Sequence, residues 1–348
     1  MVSLEYPWPE TPPPGETIPV APGIHWLSMP LPFQLDHINL WLLEDADESG
    51  SGAAAGWTVV DTGIGDRKTR DLWERLFAKF HPVRRVIVTH YHPDHAGNAD
   101  WICKRFGVEM WTTQGEYLTA HAVRSSGAGY TSDAVLSVFK KNGLPADKTA
   151  AMAGIRGNNR YSALVPEFPC SYRRIIEGDT VRVGGHGWGA IIGHGHAPEH
   201  LSLFSSQLNT VIAGDMLLST ISTNVSVWSI DPEGDPLRLF LESIDRYRGL
   251  PPDVLVLPSH GKPFRGAHLR VRQLEEHHEA RFAELKNALK GEPKSAGDLL
   301  GVLFRRPLDT HQTFFAMGEA IAHLHYLYYA GHARRGIGPD GVMRYASA

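Results

Sequence analysis

Cysteine is almost absent: Cys103 and Cys170 are the only two in 348 residues. They are far apart and in no metal-binding spacing, so they exclude a disulfide framework and a thiolate metal site and read as free, buried thiols. No run of about 18 or more apolar residues occurs, the length a spanning helix needs, so no membrane insertion is expected. The opening MVSLEYPWPETPPPGETIPV carries prolines and acids where an export signal would carry a basic patch and an apolar stretch, and a cytoplasmic location is expected. Charge of one sign is also lacking. A net −4, with acids and bases mixed along the chain, gives no footprint for tracking phosphates, so a nucleic-acid partner is not expected.

Histidine, in contrast, is abundant at nineteen residues, and several crowd into two short segments. GIHWLSMPLPF and DHINLWLLED alternate apolar and polar residues at the period of half-buried strands, and residues 46–56 read as a loose hairpin connection. Five short apolar runs then each end in Asp or His: WTVVD at 57–61, VIVTH at 86–90, AIIGHGH at 190–196, TVIAGD at 210–215 and DVLVLPSH at 253–260. Such runs suit strands buried on both faces, and side chains delivered at strand ends converge on one crevice in layered α/β folds. Between them, residues 113–168 read as short helices, one ended by Gly143, forming either a substrate lid or plain packing. After position 265 the pattern changes to three helices, at 268–291, 295–304 and 311–331, and a tail with extended pieces around turn residues. The expected organisation is a catalytic domain over 1–265 and a small winged-helix-like module over 266–348. A homodimer is left open.

The segment THYHPDHAGN, residues 89–98, carries the strongest chemical signal. In extended backbone His90 and His92 share a face and can reach one metal ion. Pro93 forces a turn, after which Asp94 and His95 can address a second ion. His196 is the first choice for a third ligand to the first ion. His194 and His200 lie nearby, and His200 is suited to support a ligand or touch substrate. Asp215 ends a buried strand, where a carboxylate needs positive charge, and its two oxygens can bridge two ions. His260 completes the second group. Asp61, also at a strand end, is assigned to orienting a ligand histidine. Nitrogen and carboxylate donors without thiolate suit two zinc ions, with iron or manganese as alternatives. His277 and His278 lie on a charged helical face and His323 and His325 in a helix without a partner motif, and all four read as ordinary surface or core residues.

The ordered set DTG, HYHPDH, GHGHAPEH, AGD and PSHG resembles the metallo-β-lactamase superfamily over residues 23 to about 265. The resemblance implies an α/β fold, the αββα sandwich with a binuclear site at one edge. It assigns the same seven ligands, and it makes His196 rather than His194 the ligand of the third motif. The tail module is similar to a winged-helix appendage of one branch. Glu199 departs from the pattern, standing where the family usually has glycine. The full HxHxDH set and the lack of an export signal disfavour antibiotic hydrolysis, and His92 stands where the redox diiron branch usually has Glu. The nearest branch is that of thioesterases, hydroxyacylglutathione hydrolases and lactonases. The expected reaction is attack of a metal-bridging hydroxide on a thioester, ester or lactone carbonyl of a small molecule. Asp94 would pass the proton on, and Tyr91, His200 and Tyr130 are candidate substrate contacts. The alternative is a phosphodiesterase or ribonuclease using the winged helix to hold nucleic acid.

Overall fold

The structure, a computed structural model, describes residues 3–45, 56–127, 129–154 and 160–348. The hairpin connection expected over 46–56 lies outside these residues except for Gly56. The chain forms two compact units. The first takes Met1–Ser125, Asn159–Thr223 and Arg246–Val271, and the second takes Ser126–Asn158, Asn224–Asp245 and Arg272–Ala348.

Two sheets make up the first unit. One has seven strands in chain order: β1 (Thr17–Ala21), β2 (Ile24–Pro30), β3 (His37–Asp45), β4 (Gly56–Val60), β5 (Val83–Ile87), β6 (Met110–Thr112) and β7 (Arg173–Arg174). Its first four strands are antiparallel neighbours, and β4 to β7 run parallel. The other sheet has six strands: β8 (Thr180–Val183), β9 (His186–Gly193), β10 (His200–Ser205), β11 (Thr210–Gly214), β12 (Leu255–Pro258) and β13 (Phe264–Arg265). Here β11 and β12 are parallel and the other pairs antiparallel.

The two-residue alternation of strands explains why both faces of the first sheet are apolar. Trp41, Val60 and Ile87 point inward to a core shared with Trp188, Ile192, Leu201, Leu203 and Leu257 of the second sheet. Their neighbours Leu40, Leu42, Val59 and Val86 point outward, against Leu72, Trp73, Leu76 and Phe77 of α1 (Arg67–Phe77). After α2 (Pro93–Ala96), α3 (Ala99–Phe106) adds Ile102 and Cys103 to the same outer core. The sheets thus stack face to face with helices outside, and the ends of β5, β9, β11 and β12 lead into the histidine- and aspartate-bearing segments.

The remaining helices are α4 (Gln114–Arg124), α5 (Ser132–Lys141), α6 (Ala146–Gly154), α7 (Arg160–Leu164), α8 (Pro236–Asp245), α9 (Ala267–Ala288), α10 (Ala296–Leu303) and α11 (Thr310–Tyr329). In the second unit α10 starts on Ser295 in a reciprocal capping box with Asp298, as the serine before its apolar run predicts. The tail forms an antiparallel ribbon, β14 (Ala333–Ile337) with β15 (Met343–Ser347). No described helix is long and apolar enough to cross a membrane.

The grouping differs from a simple cut at 265. Residues 126–158 of the expected insertion, together with 224–245, cluster with the C-terminal helices. Short amphipathic helices must cover their apolar faces, and here Phe139 of α5 is buried 5.6 Å from the ring of Phe314. Gly297 N–H donates to Asn142 O at 3.0 Å, and Val227 N–H donates to Gly318 O at 3.1 Å. Gly143 does end α5, in left-handed backbone (φ 82°), where an added Cβ would lie 2.2 Å from Ser295 Oγ. His278, expected on a charged face, turns inward and meets His323 at 3.1 Å. Of the two cysteines Cys103 is buried as expected, but Cys170 is exposed, because it lies in the irregular stretch before β7.

Candidate metal centre

Past β5 the chain delivers His90, and Pro93 opens the one-turn helix α2, on which Asp94 and His95 ride. Proline suits this first helical position, because its missing N–H would be unsatisfied there anyway. The turn separates two sets of donors. His90, His92, His196 and Asp215 form one group, and Asp94, His95 and His260 form another, each with ligand atoms within 4.8 Å of one another.

In the first group His90 Nε2 lies 2.9 Å from His92 Nδ1 and 3.2 Å from His196 Nε2. In the second, His260 Nε2 is 3.4 Å and His95 Nε2 is 3.8 Å from Asp94 Oδ2. Asp215 faces both. Its Oδ2 is 3.4 Å from His196 Nε2, and its Oδ1 is 3.5 Å from His95 Nε2 and 3.6 Å from His260 Nε2.

The opposite ring nitrogens are occupied. His95 Nδ1 lies 2.8 Å from Asp61 Oδ2, His260 Nδ1 lies 2.9 Å from His37 O, and His90 Nδ1 lies 3.1 Å from Thr89 Oγ1. Such contacts fix ring orientation and leave Nε2 to face the centre. His200, fully buried, accepts the Asp215 N–H on Nε2 at 3.0 Å. Its ring lies over Gly214 (φ 54°), where a Cβ would come within 2.4 Å of it. His194 is directed elsewhere, with Nδ1 2.6 Å from Pro198 O.

Charge and burial agree with the fit of a divalent cation. His95 Nε2 and Asp215 Oδ1 are buried without a hydrogen-bond partner, a costly arrangement for polar atoms unless a cation completes it. Burial and the neighbouring imidazoles push His90 well below its ordinary value, and burial with His196 pushes His92 down to about 3, so both offer neutral nitrogen at neutral pH. Burial opposes the charge on His95, but Asp61, Asp94 and Asp215 outweigh it and raise the imidazole to about 10. Burial likewise opposes the charge on Asp94, yet His95 and His260 hold the carboxylate down at about 2.

Tyr91 is buried, with its ring 4.6 Å from that of His92. Tyr130 belongs to the second unit, where its N–H donates to Gly127 O. Two residues with a part in the site lie beyond what the sequence pattern indicates. Glu116 accepts the N–H of Tyr91 (2.9 Å) and of Glu199 (2.6 Å), and Tyr161 OH donates to Tyr91 O at 2.5 Å. Their sequence trace is an acid in a helix's first turn and a tyrosine in a short apolar stretch, both commonplace. Burial pushes Glu116 up to about 7, against the pull of those two backbone N–H groups. Glu199, the residue unusual for its motif, accepts Gly115 N–H at 2.7 Å near the start of α4.

Residues 37–260 match the family model described as metallo-beta-lactamase superfamily, and residues 282–348 match that of the metallo-beta-lactamase-like C-terminal domain. The fold and the His/Asp clusters define a metallo-hydrolase. A crystal structure of a beta-lactamase domain protein from Burkholderia ambifaria is 47% identical, covers 99% of this chain and 98% of its own, and superposes with a TM-score of 0.92. A metallo-beta-lactamase family protein from Thermus thermophilus is 28% identical over 95% of this chain and 100% of its own, with a TM-score of 0.77. The probable metallo-hydrolase YqjP of Bacillus subtilis is 25% identical over 86% of this chain and 90% of its own. The chain belongs to the metallo-beta-lactamase superfamily, with its α/β sandwich fold.

Proposed function

We propose that the chain is a binuclear metal-dependent hydrolase of thioester, ester or lactone substrates. In this reading His90, His92 and His196 hold one ion, Asp94, His95 and His260 hold the other, and Asp215 spans both. The observation that carries it is Asp215 itself, since two oxygens of one carboxylate address two different imidazole groups. Imidazole and carboxylate donors without thiolate suit zinc, with iron or manganese as alternatives. When bound, such ions supply a Lewis acid for a carbonyl oxygen and a water acidic enough to serve as nucleophile near neutral pH.

The chain's own residues set the geometry and handle the proton. Asp61, Thr89 and the His37 carbonyl hold the ligand rings by their far nitrogens, and His200 holds the Asp215 backbone. Asp94 is more open than Asp215 and stays ionised, which suits it to take a proton and return it to the leaving group. The complete HYHPDH motif disfavours antibiotic hydrolysis, and the overall motif set resembles the thioesterase, hydroxyacylglutathione hydrolase and lactonase branch most. The mixed charge of EEHHEARFAELK in the winged-helix-like module is a poor match for a phosphate-tracking face.

The test is to load purified protein with zinc, iron or manganese, measure metal content, and assay thioesters, lactones, aryl esters and bis-aryl phosphodiesters. Two ions per chain and turnover of an acyl substrate support the proposal. Turnover of the phosphodiester alone overturns the substrate class, and a protein without stoichiometric metal overturns the whole reading.

A further inference from the structure

Besides Asp61, a further buried carboxylate beside the centre is in neither ligand group. Glu116, in the first turn of α4, is 1% exposed. An acid at a helix start ordinarily sits in solvent and meets the free N–H groups of its own helix. Glu116 instead spends both oxygens on other segments: Oε2 on the N–H of Tyr91, between His90 and His92, and Oε1 on the N–H of Glu199, three residues after His196. One side chain therefore ties the loop carrying two ligands of the first group to the loop carrying the third.

The surroundings reinforce the tie. The Tyr91 peptide is held on its other side as well, where Tyr161 OH donates to the carbonyl. Glu199 returns its own carboxylate to Gly115 N–H, next to Glu116, and its carbonyl accepts from Thr113 Oγ1 at 2.8 Å. Gly115 leaves space for this, since a Cβ there would lie 2.9 Å from Glu199 Cγ. The close approaches within the first group, 2.9 Å from His90 to His92 and 3.2 Å from His90 to His196, depend on how these two loops are placed.

We infer that Glu116 is a positioning residue for the first metal group, setting the spacing of His90, His92 and His196 without touching any ion. The inference rests on the reading of those histidines as ligands. An amide cannot substitute, because glutamine has one accepting oxygen and would turn an NH2 donor against the second backbone N–H.

The experiment compares wild type, E116Q, E116D and the core variant L76A, all full length. It measures zinc affinity by competition with a chromophoric chelator and the melting temperature of the metal-free protein. E116Q is expected to weaken zinc binding by about 10- to 100-fold, the usual effect of removing a residue that supports ligands. E116D keeps both acceptors on a shorter stem and should fall between E116Q and wild type. L76A, which opens the outer core at α1 and makes no hydrogen bond to the ligand loops, should lower the melting temperature and leave affinity unchanged. An E116Q protein that melts lower but binds zinc like wild type overturns the inference. If E116Q does not fold, E116D decides by the same comparison. Wild type that binds no zinc would end the ligand reading and this inference together. Wild type and both variants binding equally would end this inference alone.

Discussion

Asp61 adopts left-handed backbone (φ 59°), a conformation that among non-glycine residues aspartate and asparagine tolerate best. The turn aims its carboxylate at three donors: Thr89 N–H on Oδ1, and Thr89 Oγ1 and His95 Nδ1 on Oδ2. Asp61→Asn keeps the backbone tolerance but places an NH2 where one acceptor is needed. It should lower metal affinity and turnover about 10- to 100-fold with little loss of folding stability, whereas Asp61→Ala should also cost stability. Chelator competition and thermal melting separate the two effects. Asp215→Ala removes the carboxylate facing both groups, so two-metal loading and turnover should disappear together. Retention of two ions with full activity would contradict the assignment. Asp61 could be found in the sequence because it ends a strand-like run, in a DTG triplet. Glu116 and Tyr161 could not. Their partners are backbone atoms 25 and 70 residues away, and such contacts leave no spacing pattern.

Individual elements make separate predictions. Helix α1 begins on Asp66, whose Oδ1 accepts Thr69 N–H at 2.7 Å, so Asp66→Ala should cost about 1 kcal/mol in urea unfolding. In the second unit α9 and α11 bury His278 and His323 against each other. Burial holds them down at about 2 and about 4, against an ordinary 6.5. Below pH 6.5 the unfolded chain takes protons that the buried rings refuse, so their contribution to stability falls as pH drops toward 4. Glu319 acts in the opposite sense. Burial raises it to about 7 from 4.5, and its contribution is lost as pH rises through that interval. Two imidazoles against one carboxyl leave the acid side weaker. His278→Leu should therefore show a smaller drop in melting temperature between pH 7 and pH 5 than wild type. A larger drop would show that the imidazoles are not the cause.

At the scale of the molecule, the proposed ligands come from the ends of both sheets, which would make ion binding part of folding. Free zinc at a hundred times its Kd should stabilise the protein by about 2.7 kcal/mol, and a chelator should remove that gain. Hydrogen exchange should then speed up around 88–97, 194–200 and 213–217 more than in the outer core. Much of this architecture was legible, because strands buried on both faces write continuous apolar runs and the histidines crowd into short segments where their spacing carries meaning. The five runs ending in Asp or His all meet β-strands, and the three C-terminal helices and the ribbon fall where the pattern places them. Two features that stayed hidden depended on contacts between distant segments: the grouping of 126–158 with residues from 272 onward and the inward turn of His278. The exposure of Cys170 stayed hidden for a local reason, its place in the irregular stretch before β7.

The proposed ligands run from position 90 to position 260, and the carbonyl beside the last of them belongs to His37. At synthesis rates of about 5–20 residues per second, a nascent chain carries HYHPDH for roughly ten to thirty seconds before His260 has even been made. For that time the early imidazoles are a loose chelator, open to whichever soft or borderline cation is at hand, copper foremost by intrinsic affinity. With the proposed ligand set, selection of the right ion would fall to the folded site, after translation has passed residue 260.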